Sequence, residues 1–351
     1  MLPRLRFAHL PTPIEPLSRL SQALAGPQLW VKRDDQTGLA LGGNKTRKLE
    51  FLLADAQAHG ARMLITGGAA QSNHCRLTAA AAARFGFKCR LVLTDAGLPT
   101  KLPRRSDSIG SAGFEPGVAT KSLTGNRMLD HLLGAKIIWS QSGEREETLR
   151  DTFNTAWEAG ERPYLIPYGG SNEVGATGYV IAIQELIEQC TGSSPLNSPP
   201  DWIIFPTSSG GTHAGLAAGA RLFGYHGKIL GICIDEAADT MRPRVAQLAA
   251  STADVNGVPL EIPTESILAN DSYLGEGYGV MSDAEPEAIF LFARIEGVLL
   301  DPVYTGRAAA GMIDLIRRGF FKRDETVLFW HTGGTPALFA EQYREALSLE
   351  P

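Results

Sequence analysis

Cysteine is scarce in this 351-residue chain. Its four cysteines, Cys75, Cys89, Cys190 and Cys233, lie far apart. They form no CxxC pair, and no histidine stands at a spacing typical of zinc sites, so the sequence predicts neither a disulfide framework nor a metal site. Scattered single thiols are typical of proteins from a reducing compartment, and we expect a cytoplasmic location.

Long hydrophobic runs and an excess of positive charge are also missing. Nowhere do about 18 apolar residues follow one another, and no apolar stretch follows the basic residues at the start, so we expect neither membrane insertion nor export. The 33 basic residues stand against 38 acidic ones, which gives a net charge of −5. This balance removes the electrostatic basis for general nucleic-acid binding. Local basic turns then indicate sites for small anions.

The most informative stretch is Gly42–Glu50, which reads Gly-Gly-Asn-Lys-Thr-Arg-Lys-Leu-Glu. Apolar residues recur behind it at helical spacing, which predicts a one-sided helix that begins near Asn44. Lys45, Arg47 and Lys48 crowd the first turn, where the helix macrodipole is already positive, so we expect an anion there. Counting at 3.6 residues per turn places Lys45 and Lys48 on the apolar face, where a lysine loses charge and becomes nucleophilic. A solvated basic turn with extended side chains is the alternative.

A second stretch joins a strand to a helix through small polar residues. A short strand is predicted at Met63–Thr66, a tight turn at Gly67-Gly68, and the start of an alanine-rich helix at Gln71-Ser72-Asn73-His74. Backbone N–H groups at a helix start, together with Ser72 and Asn73, can hold a carboxylate or a phosphate. Capping of the helix by one of these side chains is the simpler interpretation.

The stretch Pro206–Gly215 is the best candidate for a phosphate site. Its small residues let the backbone approach a ligand closely, and successive N–H groups form a concave anion site. It is neither a P-loop nor a clean Gly-x-Gly-x-x-Gly, so nucleotide binding is disfavoured. A purely structural glycine turn remains the alternative.

Apolar strand, glycine turn and helix recur along the chain, at Met63, Trp202 and Val327. This rhythm predicts an α/β fold with a mostly parallel sheet, whose ligands lie beyond the carboxyl ends of the strands. Residues 95–126 are rich in glycine, proline and serine and are predicted to form a long exposed loop, which includes Arg104-Arg105.

These stretches together resemble the pyridoxal-phosphate enzymes of fold type II, and within them the group of 1-aminocyclopropane-1-carboxylate deaminase and D-cysteine desulfhydrase. The two motifs that carry the resemblance are residues 42–50 and Gln-Ser-Asn-His at 71–74. The resemblance implies pyridoxal 5'-phosphate as cofactor, an amino acid as substrate and a homodimer. It also implies two open, mostly parallel twisted sheets flanked by helices, with a small domain (48–167) inserted in a large cofactor-binding domain (1–47 and 168–351).

The resemblance assigns the cofactor contacts. It makes Lys45 the lysine that forms the Schiff base and Lys48 a contact of the phosphate. The phosphate-binding loop then consists of Ser209, Gly210, Gly211 and Thr212.

The resemblance also assigns the substrate contacts and the catalytic side chains. Ser72, Asn73 and the backbone of His74 match the cradle of the substrate carboxylate, and Asn73 also matches the residue that bonds the pyridoxal hydroxyl. Tyr278 and Tyr304 match two active-site tyrosines. The catalytic residues that we expect are these two tyrosines, Lys45 and Ser72.

Two positions depart from the deaminase pattern. Where the deaminase has Glu after the tyrosine of Asp-Pro-Val-Tyr and Leu after the last histidine, this chain has Thr305 and Thr332. We expect Thr305 on the substrate side and Thr332 against the cofactor. In the deaminase the glutamate faces the pyridine nitrogen and keeps it protonated, which a threonine hydroxyl cannot do. The resemblance therefore implies a ring that is a weaker electron sink, which still suffices to eliminate a good leaving group. Threonine or serine here is similar to the D-cysteine desulfhydrases.

The sequence therefore favours a β-eliminating lyase that converts D-cysteine to pyruvate, sulfide and ammonia. Lys45 would remove the Cα proton, while Tyr278 or Tyr304 assists the leaving sulfur. An L-cysteate sulfo-lyase that releases sulfite and a 1-aminocyclopropane-1-carboxylate deaminase are the enzymatic alternatives. A cofactor-binding carrier or sensor without turnover is the alternative outside catalysis.

Overall fold

The structure is a computed structural model, and it describes residues 2–94, 123–191 and 196–348. Within these residues the chain forms ten strands. In chain order they are β1 (Ile14–Pro16), β2 (Gln28–Arg33), β3 (Met63–Ala69), β4 (Lys88–Thr94), β5 (Lys136–Ser140), β6 (Pro163–Leu165), β7 (Trp202–Thr207), β8 (Lys228–Cys233), β9 (Leu268–Asn270) and β10 (Thr326–His331).

Eleven α-helices connect these strands in the same described ranges. They are α1 (Ser18–Leu24), α2 (Asn44–Ala58), α3 (Asn73–Phe85), α4 (Asn126–Leu132), α5 (Arg145–Glu158), α6 (Glu173–Gln189), α7 (Gly211–Phe223), α8 (Ala238–Val255), α9 (Ala284–Leu291), α10 (Thr305–Arg317) and α11 (Arg344–Ser348). None of them combines the length and the apolar character that crossing a bilayer requires.

The strands form two sheets. One has six strands in the order β1-β2-β10-β7-β8-β9, and the other has four in the order β5-β4-β3-β6. Only β1 runs antiparallel to its neighbour, β2, and the other pairs are parallel. The predicted α/β fold of two mostly parallel sheets flanked by helices is therefore confirmed. All strands of the smaller sheet lie inside the segment 48–167, whose boundaries as a domain stay a prediction.

The helix predicted behind the lysine stretch is confirmed as α2, which begins at Asn44. Its leucines Leu49, Leu52 and Leu53 are buried in a core that also contains Leu64 of β3 and Leu91 of β4. Each buried leucine contributes about 2 kcal/mol of transfer free energy. Packing against the smaller sheet thus fixes the helix that carries Lys45 and Lys48.

The predicted turn at Gly67-Gly68 is wrong, because β3 continues through both glycines to Ala69. Their neighbours in β4 are Val92 and Leu93. A Cβ atom on Gly68 would lie 2.6 Å from the Ser72 hydroxyl oxygen, so glycine is needed for the close approach of the strand to the start of α3. The glycines serve packing, not chain reversal.

Several elements differ from the prediction. Helix α6 begins at Glu173, because Asn172 caps it and accepts a hydrogen bond from the Gly175 N–H. The sequence pattern predicts neither helix α8 nor strand β9. Most of the predicted loop 95–126, including Arg104-Arg105, lies outside the described residues, and α4 already begins at Asn126.

Candidate functional site

A cavity lies where the carboxyl ends of β2, β3, β7 and β10 lead into loops and helix starts. Of the thirteen side chains predicted for the site, nine line it. These are Lys45, Ser72, Asn73, His74, Ser209, Gly210, Thr212, Tyr304 and Thr332. The other four, Lys48, Gly211, Tyr278 and Thr305, lie behind its wall or beside it. The strand ends of both sheets therefore converge on one site.

Lys48 lies directly behind the loop at the start of α7. Its ammonium donates to the Gly169 carbonyl at 3.1 Å and to the Ser171 hydroxyl at 3.2 Å. The Ser171 hydroxyl also bonds the Ser209 hydroxyl at 2.8 Å and accepts from the Gly211 N–H at 3.1 Å. A Cβ atom on Gly211 would lie 2.8 Å from the Lys48 Nζ atom, so only glycine permits this approach.

The environment of Lys48 and the start of α7 suits an anion. Lys48 is 1% exposed and its two hydrogen-bond partners are neutral, so burial holds its pKa well below the ordinary value. Helix α7 begins after Gly210, whose φ is +84°, and no side chain caps it. A bound phosphate would take hydrogen bonds from the first N–H groups of this helix and compensate the lysine charge.

Lys45 occupies the second position of α2 and lines the cavity. Its amine donates to the Asn44 side-chain oxygen at 3.2 Å, and the Asn44 amide nitrogen donates to the Thr212 hydroxyl at 3.0 Å. Burial lowers the pKa of Lys45 to about 8, and the negative charge of Asp301 opposes this shift. A large fraction of the amine is therefore neutral, and nucleophilic, near pH 8.

Arg47, the third cation in the first turn of α2, forms ion pairs with carboxylates inside the protein. Its guanidinium donates to both oxygens of Asp34, at 2.8 and 2.9 Å, and to both oxygens of Glu185, each at 2.9 Å. Arg47 and Asp34 are at most 1% exposed. The positive charge of Arg47 is thus neutralised in the core and is not offered to a ligand.

The start of α3 places Ser72 and His74 against the cavity. The Ser72 hydroxyl caps the helix by accepting from the Cys75 N–H at 3.2 Å, as the simpler interpretation of this motif predicts. The His74 Nε2 atom and the Thr66 hydroxyl are 2.9 Å apart. Burial, together with the charges of Lys45 and Lys48, holds the pKa of His74 well below its ordinary value, so the imidazole is neutral.

Tyr304 lines the cavity, and Tyr278 stands behind it. Their hydroxyl oxygens are 2.7 Å apart, and the ring centroids are 5.9 Å apart at an interplanar angle of 72°. Burial raises the pKa of both phenols well above the ordinary value. Both phenols are therefore protonated at neutral pH, and their hydroxyls form one hydrogen-bonded pair at the cavity wall.

Asp301, which had no sequence prediction, fixes the turn that carries Tyr304. Its buried carboxylate accepts the N–H groups of Val303, Tyr304 and Thr305 at 2.7 to 3.0 Å, and it bonds the Thr305 hydroxyl at 2.7 Å. Thr305 is consequently fully buried and does not line the cavity. The predicted contact of Thr305 with a substrate stays a prediction.

Arg307, also absent from the sequence predictions, holds the glycine-rich loop that carries Tyr278. This side chain is 1% exposed, and its Nε atom donates to Glu285 at 2.8 Å. Its remaining N–H groups bond four backbone carbonyls. Three of these belong to the loop, Leu274, Gly277 and Val280, and one to Ile234. The loop therefore takes its shape from one guanidinium.

The change Arg307→Lys is expected to loosen this loop, because a lysine cannot reach four carbonyls and a carboxylate at once. Losing one or two hydrogen bonds from a charged donor should raise amide hydrogen exchange in residues 274–280 by roughly tenfold. The exposed Arg318→Lys serves as a control, since Arg318, at the end of α10, pairs with Asp314 four residues before it. Unchanged protection in the loop of Arg307→Lys would contradict the assigned role.

Among the residues that the structure describes, no carboxylate lines the cavity, and Thr332, directly after β10, contributes a hydroxyl to its wall. In the described part of the chain, no group of three or more histidine, cysteine, aspartate or glutamate side chains is placed to hold a metal ion. The described wall offers the amine of Lys45, several hydroxyls, the imidazole of His74 and the amides of Asn44 and Asn73.

The chain is similar to known proteins over nearly its whole length. A family model described as pyridoxal-phosphate dependent enzyme matches residues 5–333. A crystal structure of an ACC deaminase homologue superposes with a TM-score of 0.83 at 32% sequence identity, over 99% of this chain and 96% of the other. O-ureido-L-serine synthase shares the fold, with a TM-score of 0.63 at 15% identity over 95% and 92% of the two chains. The chain thus belongs to the family of pyridoxal-phosphate-dependent enzymes.

Proposed function

We propose that the protein is a β-eliminating carbon-sulfur lyase that converts D-cysteine to pyruvate, sulfide and ammonia. The observation that carries the proposal is the composition of the described cavity wall, which combines the amine of Lys45 and the phenol of Tyr304 with Thr332 and, within residues 2–94, 123–191 and 196–348, contains no carboxylate. The choice of D-cysteine follows the similarity of Thr305 and Thr332 to the D-cysteine desulfhydrases.

The residues present fit the cofactor of the family. Lys48 and the loop of Ser209, Gly210, Gly211 and Thr212 supply the cation and the N–H donors for its phosphate, and a Cβ atom at Gly211 would obstruct them. The amine of Lys45 stands in the same cavity with a lowered pKa, as the attachment of an aldehyde requires.

When bound, pyridoxal phosphate withdraws electrons from the Cα atom of an attached amino acid. The protein supplies the proton transfers. We assign the removal of the Cα proton to the Lys45 amine, whose lowered pKa suits a base near neutral pH. The Cα–H and Cβ–S bonds then break, a Cα–Cβ double bond forms, and Tyr304, backed by Tyr278, protonates the leaving sulfur. Water converts the released enamine to pyruvate and ammonia.

The replacement of the deaminase glutamate by Thr305 supports elimination over more demanding chemistry. A carboxylate beside the pyridine nitrogen would hold a proton there and strengthen the electron sink. Thr305, which stands where the deaminase pattern has this glutamate, cannot do so, because a hydroxyl is not ionised at neutral pH. A weaker sink suffices where a thiol leaves, since thiols are good leaving groups.

A substrate panel tests the proposal. The protein loaded with pyridoxal phosphate is offered D-cysteine, L-cysteine, L-cysteate and 1-aminocyclopropane-1-carboxylate in turn, and keto acid, sulfide and sulfite are assayed. We expect pyruvate and sulfide from D-cysteine. Sulfite from L-cysteate would move the substrate to a sulfonate while retaining the elimination. No product from any of them, with the cofactor bound, would contradict the lyase and support a carrier or sensor.

Deaminase activity is the second candidate, because the solved structure at 32% identity is that of an ACC deaminase homologue. Formation of a keto acid and ammonia from 1-aminocyclopropane-1-carboxylate, without activity on D-cysteine, would establish it. Thr305 and Thr332 argue against this outcome, since both replace residues of the deaminase pattern.

A homodimer is proposed on the resemblance alone. Sedimentation equilibrium of the loaded protein should give twice the chain mass of 37.7 kDa. A single species of the monomer mass at micromolar concentration would contradict it.

The pH dependence of cofactor loading follows from Lys45. Only the neutral amine attacks an aldehyde, so the loading rate of the apo-protein should rise with pH and level off above about 8, the lowered pKa of this lysine. An ordinary lysine would still gain rate up to pH 10. Stopped-flow absorbance after mixing with pyridoxal phosphate measures the rate, and a rise that continues to pH 10 would contradict the assigned environment.

A further inference from the structure

Hydrogen bonds define which end of the Asn73 amide faces the cavity. The side-chain oxygen of Asn73 accepts from Asn126 Nδ2 at 2.9 Å and from Arg76 Nη1 at 3.3 Å. A guanidinium only donates, so the atom beside it must be the amide oxygen. Asn73 lines the cavity, which leaves its amino group as the end that faces a ligand.

The orientation of Asn126 is itself determined. Its side-chain oxygen accepts from Arg76 Nη1 at 3.1 Å, and its amino group donates to the Gln71 carbonyl at 2.8 Å. A carbonyl only accepts and a guanidinium only donates, so neither contact survives a flip of the Asn126 amide. The Asn126 N–H also donates to the Gln71 side chain at 2.8 Å, which ties the start of α4 to the start of α3.

Both supporting residues are held firmly. Arg76 and Asn126 are 0% exposed, and the second terminal nitrogen of Arg76 donates to the Gly42 carbonyl at 2.7 Å. Burial lowers the pKa of Arg76 to about 10, which leaves the guanidinium charged at neutral pH. The Gly42 contact joins this network to the loop that precedes Lys45.

We propose that Arg76 and Asn126 are positioning residues that lock the Asn73 amide with its amino group toward the phenolic oxygen of the cofactor. This inference rests on the proposed cofactor contact of Asn73. An amino group donates to the phenolate form and stabilises it, whereas a carbonyl oxygen in the same place would repel the phenolate. The network therefore sets the ionisation of the bound cofactor from outside the cavity.

The variant Asn126→Asp tests the lock. It places a hydrogen-bond acceptor against the Asn73 amide. The amide then gains a hydrogen bond by turning its amino group toward that acceptor, which turns its oxygen toward the cavity. We expect the pH titration of the visible absorption of the bound cofactor to move to higher pH, and the dissociation constant of pyridoxal phosphate to rise about tenfold, as for the loss of one hydrogen bond to a charged group. Asn126→Ala removes the donor without adding an acceptor and should give a smaller shift in the same direction.

The decisive comparison uses Asn73→Ala and the double variant Asn73→Ala with Asn126→Asp. If Asn126 acts through Asn73, Asn73→Ala alone shifts the titration and the second change adds nothing to it. The proposal would be overturned if the shifts of the two single variants added up in the double variant. It would also be overturned if Asn126→Asp shifted the titration while Asn73→Ala did not, or if none of the folded variants shifted it. Thr152→Ala, a buried polar change in α5, controls for general destabilisation. The spectral readout needs no substrate, so failure of the proposed lyase activity leaves it interpretable.

Discussion

The change Lys45→Ala is expected to reduce elimination from the proposed substrate by at least about a thousandfold, since it removes both the attachment of the cofactor and the base for the Cα proton. The geometry behind this expectation is the position of the amine in the cavity with Tyr304 and Thr332, together with its lowered pKa. Pyruvate release under saturating pyridoxal phosphate measures the effect.

Two controls separate this effect from a folding defect. Lys322→Ala changes an exposed lysine distant in sequence and should retain full activity. The circular dichroism and thermal unfolding of Lys45→Ala should match the parent, because among the described residues the Lys45 side chain makes a single hydrogen bond, to Asn44. Turnover of Lys45→Ala within tenfold of the parent would contradict the assignment of the base.

The change Arg47→Met is expected to lower the free energy of unfolding by about 3–5 kcal/mol, the range measured when one partner of a buried ion pair is removed. Asp34 would keep its bonds from Tyr179 and Trp330 at 2.6 and 2.8 Å but lose the compensating charge of Arg47. Glu185 would retain only Lys32 as a cationic partner. Urea-induced unfolding measures the loss.

The pH dependence of this loss has a defined direction. Burial acts to raise the pKa of Asp34, but Arg47 and Lys32 hold it at about 2. In the parent protein this lowered pKa contributes stability above the ordinary value of about 3.9, and the contribution disappears as the pH falls toward 2. Without Arg47 the pKa rises, and the folded variant binds a proton before the unfolded chain does. The stability difference should therefore be largest near pH 7 and shrink toward pH 4.

Arg317→Met provides the matched control, because Arg317 pairs with Glu287 on the surface, where both side chains are nearly half exposed. Such exposed pairs contribute at most about 1 kcal/mol. Equal losses of stability for Arg47→Met and Arg317→Met would contradict the account of the buried network.

The features that could be predicted from the sequence are those that depend on residues close together in the chain. The helix of Lys45 and Lys48 follows from apolar spacing over residues 44–56, and the anion loop before α7 follows from consecutive small residues. Helix α8 was missed, although Met241, Val245 and Ala249 recur at four-residue spacing and are buried on one face. Pro243 lies inside this helix, beyond its first turn, and a proline at such a place in a sequence argues against a continuous helix.

Contacts between distant residues could not be predicted. Arg47 meets Glu185 across 138 positions, and nothing around either residue indicates the other. The same limit applies to Asn126, which reaches Asn73 across 53 positions, and to Arg307, which reaches Ile234 across 73. These buried polar groups select their partners through the folded geometry, because burial makes an unpaired charge or amide costly.

Gly67 and Gly68 show a different limit. A glycine pair after an apolar run predicts a turn when it is read locally. In the fold, the pair continues a strand that passes so close to Ser72 that no side chain fits. Sequence pattern alone does not distinguish glycine that bends the chain from glycine that lets two elements touch.

The most direct test of the central claim is to reduce the loaded protein with borohydride and identify the modified residue by peptide mass spectrometry. The account predicts that the pyridoxyl group is attached to Lys45, in the peptide that spans the start of α2. Attachment to Lys48 or to a surface lysine, with Lys45 unmodified, would contradict the roles given to both lysines.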